Sequence, residues 1–315
     1  MINLNIINLL TILGHTAGGK TAFAARMAYE TNGEIISADS RQVYRNMNLG
    51  TGKDYQDYLV NDTKINYHLI DIREPGEEYN VFEFQKDFLI TYKNVINRNK
   101  LPVLCGGSGL YIQAALKKYK LINVPENPEL RQNLSNKNMK ELITILQSFK
   151  ELHNTTDTTQ RKRLIRAIEI EDYYSRNPEI SIDFPEIKPV ILGIKFDRDA
   201  RRHRITQRLK DRLESGMIEE AKKLHAQGVS YEKMEYYGLE YKYLAWYLTK
   251  RIDYNELFEN LNTSIHQFAK RQMTWFRRME RQGMKIHWLD GQLTIDDKVK
   301  KGLEILEKYM NQNSH

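Results

Sequence analysis

The chain has 315 residues, with 48 Lys and Arg against 41 Asp and Glu, a net charge of +7 and a pI near 9.1. That length suits one large domain or two, and 41% hydrophobic residues supply a real core. A single cysteine, Cys105, excludes an internal disulfide, and no apolar run is long enough to span a bilayer. The mild basic excess matters only if it is clustered, in which case it suits a polyanionic partner.

Residues 6–13 form an apolar run of strand length, without the basic leader of a signal peptide, so the run is read as a first core strand and the cytoplasm as the compartment. Gly14, His15, Thr16, Ala17, Gly18, Gly19, Lys20 and Thr21 follow, matching G-x-x-x-x-G-K-[ST]. A helix-forming stretch comes next. Strand, glycine loop and helix are the context this phosphate-binding loop needs. Backbone N–H groups would cradle phosphate oxygens, Lys20 would reach the terminal phosphates, and the Thr21 hydroxyl would sit on Mg²⁺. The loop specifies phosphate without specifying ATP.

Residues 33–40 read as a strand ending in Asp39 and Ser40, and residues 65–72 as another strand. Residues 81–97 read as a helix with Phe84, Phe88 and Tyr92 on its core face. Residues 101–105 form a buried strand, with Cys105 a small hydrophobe and not a nucleophile. The strand runs into a second glycine turn, residues 106–111, where Ser108 can offer a hydroxyl towards the phosphate loop. In open parallel sheets ligands lie beyond the carboxyl ends of strands, which would gather the loop, Asp39 and Ser108.

Residues 116–188 change character and read as a helical insertion into a sheet domain made of residues 1–115 and 189–315. Within it residues 160–169 are densely basic, with Arg163 and Arg166 on one helix face. Such a cluster suits phosphate contacts, and equally a solvated face. Strand character returns at residues 187–194. A long basic helix follows, with Arg204 and Arg208 one turn apart. A helix over 217–226, an aromatic turn over 236–241, an aromatic–cation helix over 268–278 and a strand over 285–289 complete the chain. Lys270 and Arg271 beside aromatic rings suit phosphates and unpaired bases, while Trp275 reads as core. No His or Cys has metal-ligand spacing.

Two classes compete on these residues. One is a nucleotide or small-molecule kinase, with ATP in the loop. The other is a group transferase acting on nucleic acid, with a different diphosphate there. Strand 101–105 ends in Cys-Gly-Gly-Ser, where a kinase usually offers a magnesium-holding Asp, and Asp39 and Asp71 are the strand-end acids of the first third.

Taken in order, the motifs resemble those of the tRNA dimethylallyltransferases over nearly the whole chain. Residues 14–21 resemble that family's GPTASGKT, and residues 39–44 its D-S-x-Q-[VIL]-Y. Residues 49–53 resemble its GTAK segment, 70–75 its DIRDP and 106–111 its GGTGLY. Residues 163–169 resemble its R-[LIV]-x-R-A-[LI]-E, and 268–275 its A-K-R-Q-x-T-W helix. His15 stands where the family has Pro, Gly18 where it has Ser, Ser108 where it has Thr, and His266 where Arg is common.

The resemblance implies a P-loop NTPase-like α/β fold, a parallel sheet flanked by helices, with a helical tRNA-binding insertion. It implies transfer of a dimethylallyl group from dimethylallyl diphosphate to N6 of the adenosine just 3′ of the anticodon. Diphosphate and Mg²⁺ would then occupy the loop, with the tRNA anticodon stem-loop as partner and a monomer as the working unit. Asp39 matches the general base, Ser108 a hydroxyl near the reaction channel, and Arg204 an arginine on the diphosphate. Asp39, Ser40, Arg41, Gln42, Ser108, Arg131, Arg163, Arg166, Lys270 and Arg271 match the tRNA-facing positions.

Overall fold

The computed structural model describes residues 2–117, 119, 121–151, 159–179 and 183–313. The chain divides into two compact units, one of residues 1–118 and 185–315 and the other of residues 119–184.

The larger unit begins with β1 (Leu9–Gly14), α1 (Lys20–Thr31) and β2 (Gly33–Ser37). A small hairpin of β3 (Leu59–Val60) and β4 (Thr63–Lys64) precedes β5 (Tyr67–His68), α2 (Val81–Asn97), β6 (Leu101–Gly106) and α3 (Gly109–Leu116). The second unit holds α4 (Pro128–Ser135), α5 (Met139–Phe149) and α6 (Arg161–Arg176). The chain re-enters the larger unit with β7 (Pro189–Lys195), α7 (Arg198–Glu214), α8 (Met217–Ala226), α9 (Tyr231–Met234) and α10 (Leu239–Leu248). It closes with α11 (Tyr254–Arg281), β8 (Ile286–Asp290) and α12 (Ile295–Gln312).

Six parallel strands form one sheet in the order β5-β2-β6-β1-β7-β8. A parallel sheet needs helices on both faces, so its strands must be apolar on both sides. Strand β1 shows this: Leu9 and Leu13 enter one buried cluster with Phe84, Phe88 and Tyr92 of α2, while Leu10 and Ile12 enter another with Phe23 and Met27 of α1. Helix α11 lays Leu257, Leu261, Ile265, Ala269, Met273 and Phe276 on the first of these clusters. It starts at a capping box in which Asp253 and Glu256 satisfy each other's backbone N–H.

Two expectations need correction. The strand expected over 65–72 is only Tyr67–His68, paired with Ile35 and Ile36. Leu69 and Asp71 take left-handed backbone conformations (φ 62° and 54°). The chain there leaves the sheet, and the Asp71 and Ile72 amides bond the carbonyls of Gln42 and Val43 instead. The aromatic turn expected over 236–241 is instead a break at Gly238 (φ 123°), after which α10 begins at Leu239.

The second unit packs three helices around Leu134, Leu142, Leu146, Leu164 and Ile168. Residues 118, 120, 152–158 and 180–182 of the expected insertion lie outside the described residues.

Candidate functional site

The phosphate loop is shaped by backbone that needs small residues. Ala17 and Gly19 sit in left-handed conformations (φ 59° and 71°), and a side chain on Gly18 would press within 2.9 Å of the His15 carbonyl. A side chain on Gly14 would meet the Ile194 carbonyl at 2.8 Å, because β1 and β7 run side by side there. Lys20 opens α1 and folds back, its Nζ donating to the His15 carbonyl at 2.8 Å. Tight packing of that ammonium, with Arg208 nearby, lowers its pKa to about 8, against the opposing pull of Cys105 and Asp39. His15 is fully buried and held neutral, its pKa pushed down to about 4 by burial. Its Nδ1 lies 2.6 Å from the Thr16 carbonyl, and its ring packs edge-on against Phe196.

Sheet register brings the second and third loops to the first. Strand β6 lies between β2 and β1, pairing Cys105 with both Ser37 and Ile12. Ser108 therefore follows the carboxyl end of the strand next to the phosphate loop, and Asp39 that of the strand beyond it, on the same sheet edge. The fit is close: a side chain on Gly106 would fall 2.3 Å from the Ala38 carbonyl. Asp39 is half-buried, and its Oδ1 accepts the Arg41 amide at 2.8 Å. Ser108 is the N-cap residue of α3, yet its side chain makes no capping bond. Gln42 accepts from the Ser37 hydroxyl and donates to the Gly52 carbonyl, so it ties one loop to the next. Ser40 and Arg41 are half-buried, with the Arg41 guanidinium 4.9 Å over the Tyr236 ring.

Helix α7 brings cations to this edge. Arg204 donates from Nε to the Ala17 carbonyl at 3.0 Å, its guanidinium 4.8 Å over Phe196. One turn on, Arg208 reaches the Thr16 hydroxyl at 3.4 Å. Crowding and the neighbouring Arg212 lower the Arg208 pKa to about 10.

Two contributors were not assigned from sequence. Gln272 of α11 accepts the Thr16 amide at 2.8 Å and donates to the Gly107 carbonyl at 2.9 Å, binding two glycine loops together. Glu220 of α8 accepts the amides of Asn48, Leu49 and Gly50 at 2.8–3.0 Å and fixes the segment that continues from the Asp39 loop. Gln272 stands inside the A-K-R-Q-x-T-W stretch, where a buried amide within an apolar stripe was the available signal. Glu220 carried none.

The remaining cationic candidates fall into two groups. Lys270 and Arg271 are exposed on α11, and His266 bonds Thr206 of α7 at 3.2 Å. In the second unit, Arg131 makes a bidentate pair with the buried Glu169, and Arg166 bonds both Glu169 and the Val124 carbonyl. These two arginines thus hold their own unit together, while Arg163 is exposed. Thr21 stands half-buried in the first turn of α1. Among the described residues no group of three or more His, Cys, Asp or Glu is arranged to hold a metal. Burial raises the Cys105 thiol pKa to about 12, which keeps it protonated. Asp71, the other strand-end acid of the first third, pairs with the fully buried Lys53 at 2.5 Å and with the Tyr55 hydroxyl.

The profile of the family described as IPP transferase matches residues 42–279, and that of isopentenyl transferase matches residues 7–74. A tRNA dimethylallyltransferase of Bacteroides fragilis is 56% identical over 292 residues, covering 93% of this chain and 95% of that one. The chain belongs to the tRNA dimethylallyltransferase family. A family member from Phocaeicola vulgatus is 54% identical over 299 residues, 95% of this chain and 97% of its own. The full-length tRNA isopentenylpyrophosphate transferase of Bacillus halodurans shares 29% identity and the P-loop NTPase-like fold. Its TM-score is 0.71, over 98% of this chain and 99% of that structure. Membership makes this chain a prenyltransferase and sets the kinase reading aside. The matched ranges together cover both the phosphate loop and Gln272 of α11.

Proposed function

We propose that the chain transfers the dimethylallyl group of dimethylallyl diphosphate to N6 of the adenosine 3′-adjacent to a tRNA anticodon. The observation that carries the reading is that Asp39 and the Lys20 loop follow the carboxyl ends of β2 and β1, one strand apart on the same sheet edge, with no strand-end acid after the intervening β6. In this reading the loop amides, Lys20 and Arg204 bind the diphosphate. The adenine, out of its stack, meets Asp39.

The exocyclic amine of adenine is a weak nucleophile, because its lone pair is delocalised into the ring. As the N6–C1 bond forms and the C1–O bond to diphosphate breaks, Asp39 takes the N6 proton. The electron pair of the broken bond leaves on diphosphate, where Lys20 and Arg204 meet the growing charge. The Arg41 amide on Asp39 Oδ1 orients the carboxylate and leaves the other oxygen for the proton. The Ser108 hydroxyl, unspent on its own helix, is available to the base or the donor.

The residues fit a magnesium ion of the kind that keeps most of its waters and binds through one side chain plus substrate phosphates. Thr21 would hold it, and the ion would supply charge neutralisation to the leaving diphosphate. Among the basic candidates, Lys162 and Arg163 of α6 and Lys270 and Arg271 of α11 are exposed and suited to tRNA phosphates. The test is mass spectrometry of tRNA nucleosides after incubation with purified protein, Mg²⁺ and dimethylallyl diphosphate. The reading expects adenosine carrying one added dimethylallyl group. Unmodified adenosine at full donor occupancy would refute it.

A further inference from the structure

The cations of α7 do not stop at Arg204 and Arg208. Arg212 follows at the next turn, and the spacing of four puts all three on one helix face. Arg212 is only 12% exposed. It lines one cavity with Thr16 and Ala17 of the phosphate loop, Arg208 and Glu240.

The space for this guanidinium is built by residue 52. A side-chain carbon on Gly52 would lie 2.2 Å from Nη2 of Arg208 and 2.6 Å from Nη2 of Arg212. The glycine is also left-handed (φ 76°). Its loop cannot easily yield: Glu220 holds the amides of residues 48–50, Gln42 holds the Gly52 carbonyl, and Gly50 lies flat against the Tyr241 ring. Two guanidiniums are therefore pressed onto one glycine beside a phosphate loop.

Such a pair repels itself unless an anion joins it. The acids facing it are Asp54, which reaches Arg212 at 3.4 Å and Arg208 at 3.6 Å, Glu240 at the start of α10, and Asp57 at longer range. Asp54 is more than half exposed and its contacts are long, so it is a weak partner that a bound anion can displace.

We propose that Arg212, seated by Gly52 beside Arg208, is a further binding residue for the diphosphate of the donor. The inference rests on the function proposed above. In that arrangement the anion is held by Lys20 and the loop amides from one element and by three successive turns of α7 from another. A guanidinium can give two parallel hydrogen bonds to a phosphate, which a lysine at the same place cannot.

The test uses the full chain and inorganic diphosphate as a competitive inhibitor against dimethylallyl diphosphate. Arg212→Gln should raise the inhibition constant and the donor KM about tenfold, with tRNA affinity and melting temperature near wild type. Arg212→Lys should recover part of the loss, and Gly52→Ala, which keeps both arginines but displaces them, should weaken diphosphate in the same direction. An unchanged inhibition constant in Arg212→Gln overturns the proposal. So does a parallel fall of donor binding, tRNA binding and melting temperature that lysine does not repair, because that marks a structural residue. Wild-type protein separates the two readings. If it performs no transfer, the function itself fails; if it transfers and Arg212→Gln binds diphosphate equally well, only this inference fails.

Discussion

The carboxamide of Gln272 accepts the backbone N–H of Thr16 at 2.8 Å across 256 residues of sequence, while its nitrogen donates to the carbonyl of Gly107. One side chain on α11 thus fixes the spacing between the loop proposed to hold the leaving group and the loop that carries Ser108. Gln272→Ala strands a buried amide and a buried carbonyl, at a cost of about 1–3 kcal/mol each. The expected outcome is a lower melting temperature together with a raised donor KM. Unchanged donor KM would mean that the loop keeps its shape without the tie.

Asp39→Asn keeps the shape of the side chain and removes its basicity. Turnover should fall by about 10²–10⁴ while tRNA affinity stays within a few-fold of wild type. Single-turnover rates at saturating donor, with filter binding of tRNA in parallel, check this. Turnover within threefold of wild type would remove Asp39 from the role of base.

Lys20 is charged below about pH 8. Above that pH the ammonium loses its proton in the free enzyme, and the anionic donor must pull one back on binding. Donor KM should therefore be flat below pH 8 and rise above it, by up to about tenfold per unit. Lys20→Arg should remove the inflection. A KM independent of pH from 7 to 9.5 in the wild type would contradict a donor seated on Lys20.

His15 has a folded pKa of about 4 against an ordinary 6.5. The lowered value means that stability is complete above pH 6.5 and is lost as pH falls from there towards 4, at up to about 1.4 kcal/mol per unit. His15→Asn, which can keep a polar atom near the Thr16 carbonyl, should flatten this acid limb of the melting-temperature profile. An identical limb in the variant would place the sensitivity elsewhere.

In the second unit the basic residues divide. Lys162→Ala with Arg163→Ala, both exposed, should flatten the salt dependence of tRNA binding by about one to two units without loss of fold. Arg166→Ala instead takes a partner from the buried Glu169 and should lower melting temperature. Equal effects of the two changes on salt slope would show that the Glu169 pairing leaves Arg166 available to phosphate.

What could be read from sequence follows a physical divide. The phosphate loop, the buried strands β1 and β6 and the helix over 81–97 are local patterns, legible because period and glycine placement carry them. Asp39 and Ser108 were legible as strand-end residues because parallel sheets collect ligands at one edge. The strand expected over 65–72 was overridden by tertiary bonds to residues 42 and 43. The roles of Glu169, Glu220 and Gln272 were not legible, because each is a buried or half-buried polar group with key partners far away in sequence: Asn127 and Arg131 for Glu169, residues 48–50 for Glu220, and Thr16 and Gly107 for Gln272. A charge cluster does not reveal which of its members face inward, which is why Arg131 and Arg166 read like Arg163.

The most direct test supplies tRNA with dimethylallyl diphosphate labelled at C1 and ATP labelled at the γ-phosphate in the same reaction. Carbon label should enter tRNA one-for-one with release of diphosphate, phosphate label should stay in ATP, and Asp39→Asn should abolish the transfer. Phosphate label in tRNA, or tRNA-dependent ATP hydrolysis without carbon transfer, would contradict the proposed function.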